Sequence, residues 1–552
     1  MTELAAAGFR QEPDGTWRIP VPSDANIAAD TVGRHAHGSR AGHVALVFED
    51  ADGALRRWTF EQLDREATAV AVGLRAHGVE RGQPVGIHTG QSPETAIAHL
   101  ALYKLGAVAV TLSQMYGPET LRHIVRDCGV ALIVTQSRFV AAFRELTEEL
   151  STRITLVTPG PHDGCIDMSR LAASPAGGFT PVTTSANEPA LLMYTSGSTG
   201  KPKGLLHAHR ILHAYMPTVR LFYNLATQEP DAVFWSPADW AWVGGLLDLV
   251  LPAWAEGQTV VATQHRFDAP WAMDFMARHR VTHSFMTPTA LKRLAEVEQP
   301  RARRDLHLRV VCTGGESLPS EIVRWSREEL GAVCNEFYGL TEFNHLVGNC
   351  ERLYPIRPGS MGKPYPGHGT CLVDEEGREV APGIVGEIVA RTDDPTLFLG
   401  YWGDPGIPQR LKLGERWLRT GDLATRDADG YLWYQGRNDD LIKSAGYRIG
   451  PAEVEDVLVM HPQVAEAAVI GSPDRSRGTI VKAFVRLREG AVAGDALAAE
   501  LQDFVKVRLA AYKYPREIEF VTDFPLTSSG KIRRGELRRR DAEAKARGVS
   551  AR

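Results

Sequence analysis

One stretch constrains this chain more than any other. An apolar run, Ala190-Leu191-Leu192-Met193-Tyr194, leads directly into Thr195-Ser196-Gly197-Ser198-Thr199-Gly200-Lys201-Pro202-Lys203-Gly204. The run reads as a buried strand. The residues after Tyr194 are almost all hydroxyls, glycines and lysines. Glycine lets a backbone curl at positive φ and bring its N–H groups close to an anion. Hydroxyls add short donors and lysines add charge, so the loop has the composition needed to hold a triphosphate. Pro202 forbids a helix from starting inside it. A plain surface turn is the alternative, but nearly every residue is of a phosphate-contacting type. The Walker pattern, Gly-x-x-x-x-Gly-Lys-Ser/Thr, fails on spacing: Pro202 follows Lys201, and Gly197 and Gly200 stand too close together.

The chain has 552 residues, a length that implies about three to four compact units. Hydrophobic content of 43% and charged content of 23% are those of a soluble globular protein. A net charge of −5 leaves no overall nucleic-acid footprint. The cysteines are scattered with no Cys-x-x-Cys pair, which argues against a zinc site or a disulfide framework and for a reducing compartment. Met1–Pro20 carries Glu3, Glu12 and Asp14 without an apolar core and does not read as a secretory signal. His99 and Lys104 break the apolar stretch 96–112; Asp248 and Pro252 break 241–255. Neither reads as a membrane span, so the expectation is a cytoplasmic enzyme.

Along the chain, 1–43 reads as a loosely structured lead-in. Then 43–48 reads as a strand with a turn at Asp52-Gly53, and Thr59 with Gln62 forms a capping box for the next helix. Strands at 85–89, 108–112 and 131–135 alternate with helices at 94–105 and 119–127, the pattern of a mainly parallel sheet. Residues 158–187 read as a surface connection. After a helix at 211–222, strands at 232–235, 259–262, 282–286 and 308–312 suggest a second α/β layer. Beyond Arg357 short strands and turns suggest a β-rich subdomain. A C-terminal unit of about a hundred residues completes the chain, with helices at 451–460 and 497–509, strands at 465–471 and 481–486, and a solvated helical tail. The fold class is therefore α/β: a large N-terminal domain of two parallel-type layers plus a β-rich subdomain, and a small mobile α+β C-terminal domain. The boundaries fall at 1–436, a hinge at 437–440, and 441–552.

Four further motifs carry chemistry: Thr313-Gly314-Gly315-Glu316-Ser317 after a strand, Glu336-Phe337-Tyr338-Gly339-Leu340-Thr341-Glu342, Thr420-Gly421-Asp422, and the run from Gly436 through Arg437, Asp439 and Lys443 to Gly446, Arg448 and Ile449. Near the end stands Pro525-Leu526-Thr527-Ser528-Ser529-Gly530-Lys531. With 194–204 they resemble the signatures of the AMP-forming acyl-CoA synthetase, adenylation-domain and luciferase superfamily, closest to its short- and medium-chain acyl-CoA synthetases.

That resemblance implies ATP-dependent ligation of a carboxylic acid to coenzyme A through an acyl-adenylate, with release of AMP and pyrophosphate, in fatty acid metabolism. ATP, Mg²⁺ and coenzyme A are the implied cofactors; no nucleic acid is an implied partner. Thr195, Lys203, Glu342 and Lys531 would be catalytic, with Glu342 holding Mg²⁺. Thr195, Ser196, Gly197, Ser198, Thr199, Gly200 and Lys203 would cradle phosphates. Gly315, Glu316, Ser317, Tyr338 and Gly339 would surround adenine, Thr341 the α-phosphate, and Asp422 with Arg437 the ribose. Gly446 would line the pantetheine tunnel, Arg448 would meet the nucleotide phosphate in a second conformation, and Asp439 would be the pivot. Lys531 would be the target of a lysine acetyltransferase.

Trp242, Val243, Gly244, Gly314 and Gly339 would form the acyl pocket. Acetyl-CoA synthetases carry a tryptophan, a small aliphatic residue and a threonine where this chain has Gly339, Gly314 and Gly244. The departure implies a larger pocket, for propionate through medium-chain, branched or small aromatic acids, unless Trp240 or Phe337 refills the space. An acetyl- or propionyl-CoA synthetase and an adenylating enzyme that loads a carrier protein are the alternatives. His207, His209 and His213 read as polar lining beside the phosphate loop rather than a metal cluster.

Overall fold

The computed structural model describes residues 3–175, 177–195, 201–316, 318–438, 440–444, 447–474, 478–509, 512–526 and 532–547. Among these residues the large domain is built on two nine-stranded sheets. In the first, Pro189–Thr195, Val108–Thr111, Pro84–His88, Leu132–Thr135, Thr155–Thr158 and Ile166–Asp167 run parallel. In the second the parallel run is Val44–Glu49, Thr259–Thr263, Val233–Trp235, His283–Phe285, Val310–Gly314 and Val333–Leu340. These strands are rich in Val, Ile and Leu and mostly buried, as sheets covered on both faces require.

Each parallel run ends in an antiparallel hairpin. Pro189–Thr195 turns back into Lys203–Ala208, and Val333–Leu340 turns back into Asn344–Gly348. The phosphate-type motif spans the two strands of the first hairpin, and the Tyr338–Glu342 motif runs from the end of Val333–Leu340 into the turn of the second.

The helices start and stop where local chemistry dictates. Thr59 and Gln62 make the reciprocal capping box on Phe60–Ala76. Ser92 caps Pro93–Leu105, which ends at Gly106 in the left-handed region. The β-rich subdomain is a five-stranded sheet around Trp417–Arg426, and the C-terminal unit holds the sheet Val464–Asp474, Gly478–Leu487 and Glu517–Phe520. Among the described residues no helix is long and apolar enough to cross a membrane.

Three expectations change. Of the lead-in 1–43, the described part is not loose: Phe9, Ile27, Ala28 and Val32 are buried in the main core. Asn26 Nδ2 also donates to the Tyr103 carbonyl at 2.8 Å. Its polar composition hid anchors that only tertiary packing reveals. The strand Val44–Glu49 joins the second sheet, not the first. The described part of the tail is not a solvated helix either. Arg534–Ala546 docks on the C-terminal sheet through buried Leu537 and through Asp541, which takes the Lys482 ammonium at 2.7 Å in the interior.

The two units meet closely. A Cβ on Gly450, just before the helix Pro451–Val459, would lie 2.1 Å from the Gln435 carbonyl oxygen of the subdomain, so only glycine permits this approach.

Candidate active site

The phosphate-type hairpin is closed at its neck by Thr195 paired with Lys203. Residues 196–200 lie outside the described residues. The neck is braced from three sides. Tyr194 Oη donates to Asp127 Oδ2 at 2.6 Å, Tyr116 Oη donates to the Tyr194 carbonyl at 3.1 Å, and His123 Nε2 donates to the Pro202 carbonyl at 2.7 Å.

The second hairpin places Glu342 against the first. Tyr401 Oη donates to Glu342 Oε1 at 2.9 Å, and the Lys203 ammonium stands 5.3 Å from the Tyr401 ring centroid. Tyr401 belongs to the short strand Gly400–Tyr401, which pairs with Lys203–Ala208. Burial, then the Glu342 charge, push the Tyr401 hydroxyl up to about 12, so it remains a donor. Tyr401 thus links the lysine and carboxylate expected to meet phosphate and Mg²⁺. No sequence motif pointed to it.

The Thr420-Gly421-Asp422 motif, inside the strand Trp417–Arg426, lies behind Tyr338. Asp422 Oδ2 accepts from Tyr338 Oη at 2.7 Å and Oδ1 from Tyr434 Oη at 3.1 Å, with Arg437 Nη1 at 3.9 Å from Oδ1. Burial and Asp422 hold both tyrosine hydroxyls well above their ordinary value. Asp422 and Arg437 face each other in antiparallel register. Gly421 sits at φ +79°, and its N–H donates to Glu387 Oε1 at 3.1 Å, a buried carboxylate that also pairs with Arg419. Glu387 and Tyr434 were invisible to motif reading because their partners are distant in sequence.

The expected adenine segment comes after the strand Val310–Gly314, paired with Val333–Leu340 so that Gly314 faces Phe337. Gly315 turns at φ +89°, and Glu316 Oε2 accepts from Thr289 Oγ1 at 2.7 Å. Ser317, Asp439, Gly446 and Lys531 lie outside the described residues, and of Arg448 only the backbone is described. The chain flanking Lys531 is held by an antiparallel bridge between Leu526 and Ile532 and by Arg533 N–H donating to the Pro525 carbonyl at 2.8 Å. Next to it, Arg534 grips Glu455 with contacts of 2.6 and 3.1 Å, and its charge acts on the Tyr434 hydroxyl.

The three glycines expected to enlarge the acyl pocket do not leave three voids. A Cβ on Gly244 would lie 2.2 Å from the Phe285 ring, one on Gly314 2.8 Å from the Phe337 carbonyl oxygen and 2.9 Å from its ring, and one on Gly339 1.7 Å from the Asn344 carbonyl oxygen. Gly339 answers the tight hairpin, while Phe285 and Phe337 occupy the space at the other two. Trp242 packs edge-on against Tyr116, ring centroids 5.6 Å apart. Phe337 does refill space, as the sequence allowed; Trp240 instead packs edge-on against Trp254, and the second filling ring, Phe285, was missed.

Among the described residues no group of three or more His, Cys, Asp or Glu side chains could hold a metal by itself. His207 and His209 are wholly buried, and His213 pairs with Asp30 at 3.0 Å, so these histidines do not form the expected polar lining. A metal at Glu342 would take its other ligands from phosphate and water, as Mg²⁺ commonly does.

The family profile "AMP-binding enzyme" matches residues 33–402, and "AMP-binding enzyme C-terminal domain" matches 453–531. The chain is 37% identical over 505 residues to an uncharacterized acyl-CoA ligase of Bacillus subtilis, covering 91% of this chain and 94% of the relative. It is 34% identical over 534 residues to the acetyl-coenzyme A synthetase of the same organism, covering 93% and 90%. Among solved structures, an anthranilate CoA ligase in complex with anthranoyl-AMP superposes with a TM-score of 0.84 at 30% identity, covering 95% of this chain and 99% of that one. A benzoate CoA ligase from Burkholderia xenovorans superposes at 0.81 and 29%, covering 93% and 99%. With one profile over the large domain and the other over the small C-terminal one, the chain belongs to the AMP-binding enzyme family of adenylate-forming ligases.

Proposed function

We propose that this ligase joins a short- to medium-chain, branched or small aromatic carboxylic acid to coenzyme A. The acid's carboxylate attacks the α-phosphorus of ATP and pyrophosphate leaves. The thiol of coenzyme A then attacks the acyl carbon, AMP departs with the bonding pair, and the thiol proton passes to solvent. The first step needs charge neutralisation rather than a protein nucleophile. Thr195, Lys203 and Lys531 supply donors and charge; Glu342 would hold Mg²⁺, which adds further neutralisation. The observation that carries the reading is the convergence on Tyr401, which brings Lys203 and Glu342 together from two different sheets.

On this reading residues 1–436 bind nucleotide and acid, 441–552 form the lid, and Asp439 within 437–440 is the pivot. Gly446 and Arg448 serve the thioester-forming conformation. Acetylation of Lys531 by a lysine acetyltransferase would remove its charge and switch adenylation off. The scattered cysteines favour a cytoplasmic location.

The test is pyrophosphate release with ATP across acids from acetate to decanoate and benzoate, with and without coenzyme A. The expected result is acid-dependent release and an acyl-CoA product. Pyrophosphate release without any acyl-CoA product would transfer the reading to an enzyme that loads a carrier protein.

A further inference from the structure

Asp248 and His345 form a hydrogen-bonded pair sealed inside the large domain. His345 Nε2 stands 2.8 Å from Asp248 Oδ1, and the side chains are 1% and 3% exposed for His345 and Asp248 respectively. Neither takes part in the adenylation or thioester steps. Proton counting shows what the pair is. Thr218 has one hydroxyl hydrogen, and its oxygen lies 2.9 Å from the Tyr215 carbonyl, which can only accept. Toward His345 Nδ1, 3.0 Å away, Thr218 Oγ1 therefore accepts. Nδ1 therefore carries a hydrogen, and one further proton joins Nε2 to the Asp248 carboxyl. Three aromatic rings enclose it, Tyr215, Phe222 and Phe337, with centroids at 4.5, 4.8 and 4.7 Å.

The pair joins two segments far apart in sequence. Asp248 lies in the π-helical turn Leu246–Val250, shortly after the acyl-wall residues Trp242, Val243 and Gly244. Such turns are often found at functional sites. His345 lies on the strand Asn344–Gly348, opposite Gly339 in the hairpin that carries Tyr338 and Glu342. Phe337 stands at the junction. It stacks on Phe222 at 4.7 Å, meets His345 edge-on, approaches Phe285 at 5.9 Å, and fills the space over Gly314. A buried acid–histidine pair is weak evidence for stability, because desolvation offsets most of its attraction. Its worth here lies in fixing geometry.

We propose that the Asp248–His345 pair positions the aromatic wall that selects the acid. By tying the acyl-wall turn to the second hairpin, it holds Phe337, and Phe285 beside it, at one distance from the bound acyl tail. Neither partner touches the reacting atoms; both are positioning residues. The proposal rests on the acyl-activating function proposed for this chain.

The test uses the full chain and two variants: Asp248→Asn with His345→Gln, a neutral amide pair of similar reach, and Thr218→Val, which removes the Nδ1 acceptor together with the hydroxyl's bond to the Tyr215 carbonyl. Pyrophosphate release is measured over acids from acetate to decanoate and benzoate. In the amide-pair variant the kcat/KM ratio between the best and worst acids is expected to shrink by at least about tenfold, roughly the worth of a methylene-sized misfit. KM for ATP should stay near the wild-type value, because the change lies in acid binding. Thr218→Val should shift the same ratio in the same direction by less. A uniform fall in kcat with the rank order of acids unchanged would make the pair merely structural and overturn the proposal. If the amide pair does not fold, an unchanged rank order in Thr218→Val overturns it equally. A wild type that releases no pyrophosphate with any acid would instead overturn the acyl-activating function, and the proposal with it.

Discussion

Tyr338 Oη donates to Asp422 Oδ2 at 2.7 Å, while Tyr434 Oη reaches the other oxygen of the same carboxylate at 3.1 Å. The expected adenine-stacking residue and the expected ribose acid are therefore one hydrogen-bonded unit. The strand segment Thr420-Gly421-Asp422 is fixed against the second hairpin by this bond.

Tyr338→Phe tests that unit. It keeps a ring for stacking but removes a hydrogen bond to a charged group, an interaction worth about 1.5–3 kcal/mol. KM for ATP should rise by roughly tenfold, part of that free energy, with a smaller effect on kcat. Steady-state kinetics at saturating acid checks it. An unchanged KM would show that Asp422 is oriented adequately by Tyr434 and Arg437 alone.

Lys531 is expected to bridge the acid and the α-phosphate as charge develops between them. Lys531→Ala should slow acid-dependent pyrophosphate release by at least ~10²–10³, the usual cost of losing a preorganised donor. Thioester formation from preformed acyl-adenylate should survive better if, as proposed, a rotation about Asp439 withdraws this lysine for that step. Near-normal adenylation in the variant would refute the role. Mass spectrometry of protein from its host would show whether this lysine is acetylated.

Much of this architecture was legible because its signals are local. A capping box at Thr59, a left-handed glycine at Gly106 and an apolar run before Thr195 each declare themselves within a few residues. What sequence could not supply were contacts between distant segments: Tyr401 with Glu342, Glu387 with the Gly421 N–H, and Asn26 with Tyr103. Glycine is the sharpest case. Its absent side chain means either open room or a neighbour too close to allow more. Gly339 reads as room in the sequence and is close approach in the fold, with the Asn344 carbonyl where a side chain would start.

Asp456 introduces a pH dependence at the seam between the domains. It lies on the helix Pro451–Val459, facing Lys292 and Glu321 of the large domain, with Glu453 and Glu455 on its own helix and its charge felt by Glu336. Burial first, then Glu455, push it up to about 7 from the ordinary 3.8. Between those values the folded chain holds this proton and the unfolded chain does not. Stability should therefore fall as pH rises through that window and level off above it. Asp456→Asn mimics the protonated form and should flatten the slope, gaining about 1–3 kcal/mol at pH 8 after allowance for solvent screening. Denaturant melts at pH 5 and pH 8 measure it; equal gains at both would show that the group is already ionised in the fold.

Phe285 should govern how much acyl chain the enzyme accepts. Its ring lies over Gly244, 2.2 Å from where a Cβ would stand, and its centroid is 5.9 Å from that of Phe337. The glycine therefore makes room for the phenyl ring rather than for substrate. Shortening the ring, as in Phe285→Leu, returns that room to the pocket while leaving the Tyr338–Asp422 and Tyr401–Glu342 hydrogen bonds in place. Each newly buried methylene adds about 0.8 kcal/mol, roughly fourfold in kcat/KM. The chain-length optimum should move up by one or two carbons, while the smallest acids lose affinity through poorer contact. Gly339→Trp, in contrast, should not tune selectivity. A side chain there collides with backbone, and the expected result is loss of folded protein, measured as a collapsed melting transition. An unchanged chain-length profile in Phe285→Leu would show that the acid enters along another wall.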